Sequence, residues 1–133
     1  MYWGDKMNPD RFNELIDALG TILSSFRSVD TFPTQTNVLL SQTIQKIREV
    51  KSEAPVPSAE ERDALIDLEN DLQSFAVAIP EYGRNLTLAR EKFKTILRKF
   101  LALLNAIGTT NPKYAQWIAS LVGYKQLLRM VGL

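Results

Sequence analysis

Cysteine and histidine are both absent from these 133 residues. Their absence excludes disulfides, thiolate nucleophiles, imidazole bases and nearly all zinc or haem ligation in one step. There is no glycine-rich phosphate loop, no GxSxG elbow and no DxDxDG calcium loop. The carboxylates that remain fall on helix faces at solvated spacings, so the chain reads as not an enzyme, with no cofactor and no metal site. No apolar run approaches the roughly 18 to 20 residues that a membrane span requires. The start, MYWGDKMNPD, lacks the basic-then-apolar layout of a secretory leader, and an intracellular chain is expected. Strand-like alternation with period two is missing as well, which leaves helix as the only regular structure to expect.

With apolar residues at 45% and charged residues at 23%, the composition is that of a folded globular chain rather than a disordered one. The length fits one domain with a real core, so residues 1–133 are read as a single helical domain with a flexible 1–7 and a proline-containing connector at 51–57. Asn8 and Pro9 form a cap-then-proline start, and Phe12, Leu15, Ile16, Leu19, Ile22, Leu23 and Phe26 recur at helical spacing, predicting a helix over 8–27. Pro33 disfavours helix at Phe32, so a second helix is expected over 34–50 with Leu40, Ile44 and Ile47 in line. Two prolines in KSEAPVPS mark a connector. Ser58 with Glu61 then reads as a capping box opening a third helix over 58–79, with Leu65, Leu68, Leu72, Phe75, Ala76 and Ile79 inward and Pro80 as its stop. A fourth helix is expected over 84–107, with Phe93, Ile96, Leu97, Phe100, Leu104 and Ile107 on one side and Gly108 as its C-terminal cap. Asn111 and Pro112 repeat the cap-then-proline start, and one further helix over 112–130 is expected to carry Trp117, Ile118, Leu121, Leu128 and Val131. Gly20 and Gly123, inside helical patterns, mark either kinks or close helix contacts. The fold class is all-α: a four-helix bundle with an additional C-terminal helix and short antiparallel connections.

Charge of one sign is missing locally even though the net charge is only +1. Residues 58–80 hold six acids against the single base Arg62, a net of −5, whereas 84–99 hold six bases against Glu91, a net of +5. From Lys92 to the C-terminus there are seven bases and no aspartate or glutamate at all. One reading takes Arg90, Lys94, Arg98 and Lys99, with Arg11, Arg27, Lys46 and Arg48 on the earlier helices, as a surface that neutralises nucleic-acid phosphates. The other pairs the acidic third helix with the basic fourth along the bundle edge. At the end of the chain, Tyr114, Trp117, Leu121, Tyr124 and Leu128 lie among Lys125 and Arg129. Such aromatics serve either as interface anchors for assembly or as core. The triplet Asn85-Leu86-Thr87 matches a glycosylation acceptor, a chance pattern at a helix start.

The stretch LLNAIGTTNPKYAQWIASLVGYKQ resembles the C-terminal part of the major coat proteins of rod-shaped and filamentous archaeal viruses, the rudivirus, lipothrixvirus and tristromavirus group. The matching positions are Leu104, Asn105, Ile107, Gly108, Pro112, Ile118, Leu121, Gly123 and Tyr124. The resemblance implies a virion coat subunit, assembled in the host cytoplasm, that dimerises with itself or a paralogous coat chain around double-stranded DNA. It also implies that the DNA is held in an A-like form and that the dimers stack into a helical nucleocapsid. Residues 1–50 depart from the family's basic N-terminal arm, with five bases against six acids. Two other readings stay open on the residues alone: a small helical subunit lining nucleic acid in a CRISPR-type ribonucleoprotein, and a protein-binding adaptor whose charges pair internally.

Overall fold

The apolar residues at helical spacing from Phe12 to Leu23 build α1 (Pro9–Ser24), whose Leu15, Leu19 and Ile22 have no exposed surface. Among the described residues five more helices follow: α2 (Phe32–Ser52), α3 (Ala59–Tyr82), α4 (Leu86–Thr110), α5 (Pro112–Ala119) and α6 (Val122–Met130). The computed structural model describes residues 9–52 and 59–133, and no strand occurs among them. The Asn8 cap and the Ser58 half of the capping box lie outside the described residues. Sequential helices α1 to α4 pack neighbour to neighbour, and a lighter α1–α4 contact closes the ring. On the α1–α4 side, α5 lies against α4 and α6 against α1. The architecture is thus an all-α bundle of four long helices with a C-terminal addition.

That addition is two helices, not the single one expected over 112–130. The Ser120 hydroxyl donates to the Trp117 carbonyl at 2.6 Å, and Leu121 is extended (φ −81°, ψ 117°) with its side chain buried. The break turns α6 back onto α1, where an unbroken helix would project away from the bundle. The turn works because Gly123 meets α1 without a side chain: a Cβ there would sit 3.0 Å from both Ile16 and Asp17. Gly123 therefore marks a close helix contact, and Gly20 lies in the same seam, opposite the Met130 sulfur.

Other boundaries differ for local reasons. Pro80 lies inside α3 rather than ending it: it is exposed, and Tyr82, close behind it, packs its ring 5.3 Å from Phe75 and holds the last turn. The stop is Gly83, whose φ of +57° only glycine adopts at little cost. Asn85 then caps α4 by accepting from the Leu88 amide at 3.0 Å, which gives the Asn85-Leu86-Thr87 triplet a structural use. Gly108 does not cap α4, which continues to Thr110; its missing side chain admits Ala115 of α5, whose Cβ would lie 3.1 Å from a Cβ at Gly108. Asn111 ends α4 and starts α5, its side chain accepting from the Tyr114 amide at 3.3 Å with Pro112 in the first turn. Phe32 belongs to α2 despite the proline after it, because its amide donates to Ser28 and its ring packs 5.1 Å from Phe26.

Candidate interaction surfaces

The bases proposed for phosphate contact mostly engage their own chain. Arg11 pairs with Glu49 at 2.6 Å and Lys46 with Glu14 at 3.8 Å, both across α1–α2. Arg48 reaches Glu69 at 3.4 Å, where Lys51 makes a closer pair at 2.9 Å across α2–α3. Through the Lys51 hydrogen bond first, and then Arg48, the Glu69 carboxyl is held below its ordinary range. Lys99 alone joins the basic α4 to the acidic α3 among the described residues, at 3.2 Å from Asp71, so α3 and α4 do not cancel each other's charge.

The line Arg90, Lys94, Arg98 on α4 is half-buried. Arg90 donates to the Phe26 carbonyl beyond the end of α1, and Arg98 donates to the Val131 carbonyl at 2.8 Å, just after α6. Two of its three cations thus serve carbonyls just past helix C-termini, where positive charge is favoured. Lys94 lies 3.8 Å from Glu91 on the same helix. Of the eight bases, Arg27 is exposed and has no ion pair among the described residues. Replacing Arg98 with glutamine is expected to raise amide exchange in residues 122–133 several-fold while leaving α2 and α3 unchanged, since a charged hydrogen bond of this kind contributes about 1–2 kcal/mol locally. Hydrogen-exchange mass spectrometry reads this directly.

The structure places the aromatic end of the chain largely inside its own core. Tyr114, Leu121 and Tyr124 are buried, while Trp117 and Leu128 are half-buried. Trp117 sits edge-on to Phe12 with ring centres 5.1 Å apart, beside Tyr114 at 5.7 Å. These side chains fasten α5 and α6 to the bundle.

Glu61 is the residue that reading by type misplaces. It is fully buried, although an acidic α3 is expected to present its carboxylates to solvent. Burial pushes its carboxyl up to about 8, against the lowering effect of the neighbouring Tyr114 hydroxyl. Burial, and then the Glu61 charge, raise the Tyr114 phenol in turn. The signal is present in the spacing, because 61, 65, 68 and 72 share the inward phase of α3.

What remains at the surface is unevenly distributed: exposed acids concentrate on α3, where Arg62 is the exposed base among them, and Asp17 and Asp30 lie exposed on and just after α1. On α3, Asp63, Asp67 and Glu81 are exposed with no ion pair among the described residues. Arg84, Lys92, Lys125 and Arg129 are exposed in the same condition. Among the described residues no group of three or more acidic side chains is placed to hold a metal ion, and no helix is long and apolar enough to cross a membrane. No family model, curated protein or solved structure matches the chain.

Proposed function

We propose that the chain is a non-catalytic structural subunit, a preformed helical bundle that acts by associating through its outer faces. The observation that carries this reading is the uneven placement of its unpaired charge: acids outnumber the single base Arg62 on the exposed side of α3, bases lie on the outer face of α6, and exposed apolar side chains occur in both places. Sedimentation velocity across protein concentration, with negative-stain microscopy, tests it. The expected result is growth beyond the monomer that weakens as salt rises; a strict monomer at every concentration would overturn it.

A second reading is the coat of a filamentous virus, closing around duplex DNA. It draws support from the resemblance of residues 103–126 to archaeal virus coat proteins. It also draws on the exposed Arg84, Lys92, Lys125 and Arg129, in a stretch with one acid from residue 84 to the end. On this reading DNA contact falls to these four, with Arg27, more than to the half-buried Arg90, Lys94 and Arg98. Replacing Arg84, Lys92, Lys125 and Arg129 with glutamine should then weaken duplex binding evenly across sequences and reduce the salt slope by about one unit for each phosphate left without its cation. An unchanged slope would remove the reading.

A further inference from the structure

Two helix faces on different sides of the bundle carry matching patterns. Along the exposed side of α3, Asp63 and Asp67 stand one turn apart beside Ile66, which is 39% exposed, with the base Arg62 one turn before Ile66, and Val77 farther along is 79% exposed. Along the outer face of α6, Lys125 and Arg129 stand one turn apart beyond Val122, 72% exposed, and Leu133, after the helix end, is 62% exposed. Side chains at i and i+4 sit about 6 Å apart on either helix, so the acidic pair and the basic pair share one pitch. Each pair is bordered by large apolar side chains that lie in water in the monomer. Placing one face on the other covers those side chains and sets two carboxylates against two cations.

The same pairing within one molecule is closed off by the fold. Helix α3 packs on α2 and α4, whereas α6 packs on α1 and α5. In the ring α1-α2-α3-α4, helices α1 and α3 stand at diagonal corners, so α6, lying on α1, faces away from the outer side of α3.

We propose that the outer face of α3 is the docking surface for the outer face of α6 from a second copy of this chain. The proposal rests on the structural-subunit reading and gives it a partner and a polarity. Because the two faces differ, the contact is heterologous: each added copy leaves one acidic and one basic face open, and the assembly extends head to tail unless its rotation closes a ring. Asp63–Asp67 opposite Lys125–Arg129 sets the register, and Ile66 and Val122 supply the apolar burial.

The test uses charge reversal on the full chain, at exposed positions that leave the core untouched, with the melting temperature of each variant checked first. At low salt the wild type is expected to sediment faster as its concentration rises. D63K/D67K alone and K125E/R129E alone should each remain monomeric. An equimolar mixture of the two variants should regain association, because each then meets its opposite charge, and the quadruple variant should regain it unaided. Association by either double variant as strong as the wild type's, or a mixture that stays monomeric, would overturn the proposal while leaving the structural-subunit reading intact. A wild type that stays monomeric overturns both. If it then binds duplex DNA through a face that K125E/R129E abolishes, the occupant of the α6 face is nucleic acid.

Discussion

Replacing Glu61 with glutamine is expected to flatten the pH dependence of stability between pH 5 and 8. In the unfolded chain this carboxyl ionises near 4.5, and in the buried site it holds its proton up to about 8. Between those values unfolding releases a proton, so stability falls as pH rises. The stabilisation from the protonated acid is fully present below pH 4.5 and is lost by the time pH passes 8. At 1.36 kcal/mol per unit the full span is about 5 kcal/mol. The amide of E61Q fills nearly the same volume and does not titrate. The variant should therefore be the more stable protein at pH 8.5, with the difference closing by pH 4, where both side chains are neutral. Glu69 acts oppositely and in another window: its lowered carboxyl contributes stability above 4.5 that is lost on acidification. Urea unfolding of both proteins from pH 4 to 9 checks this, and parallel curves would show that Glu61 is not a buried neutral acid.

Truncating Phe26 to alanine is expected to cost about 3–5 kcal/mol and lower the melting temperature by about 10–20 °C. Phe26 is 1% exposed and follows the end of α1, where its ring meets three helices at once. It is edge-on to Phe32 of α2 at 5.1 Å and to Phe93 of α4 at 5.7 Å, and stacked near Phe75 of α3 at 6.1 Å. Phe75 and Phe93 also touch edge-on at 5.3 Å. No single neighbour can move to fill the space, because each ring is held by the others. The Phe26 carbonyl is also the acceptor for Arg90, so backbone loosening at residue 26 would release that bond as well. Calorimetric unfolding measures the loss; a change below about 1 kcal/mol would mean that the four rings do not share one packed cluster.

The inward stripes were legible because they depend on spacing alone. Leu65, Leu68, Leu72, Phe75 and Ile79, or Phe93, Leu97, Phe100 and Leu104, point to one side of any regular helix, and all are buried. Buried polar positions were harder. Thr36 and Thr43 line the inner face of α2, where Thr43 donates to the Leu39 carbonyl at 2.8 Å and Thr36 lies 3.4 Å from the Ser25 hydroxyl. A hydrophobic pattern does not register such residues, since their polarity is satisfied by bonds visible only after folding. Glu61 was harder still: its phase pointed inward while its type pointed to solvent, and phase prevailed.

The charge pattern divides along the same line. Which helix is acidic, which is basic and where acids cease are properties of the chain written in order. Whether a given base is available to a partner depends on groups far away in sequence: Arg90 ends at Phe26, 64 residues earlier, and Arg98 at Val131, 33 residues later. The sequence by itself determined an all-helical chain, its inward faces and its segregated charge, because helical periodicity and composition are local. Only the tertiary structure decided that Tyr114, Leu121 and Tyr124 close the chain's own core, that the last helix breaks at Ser120 and Leu121 to lie on α1, and which charges are left at the surface. Those outcomes follow from contacts between distant segments, where the geometry of packing selects one partner among many that local pattern permits.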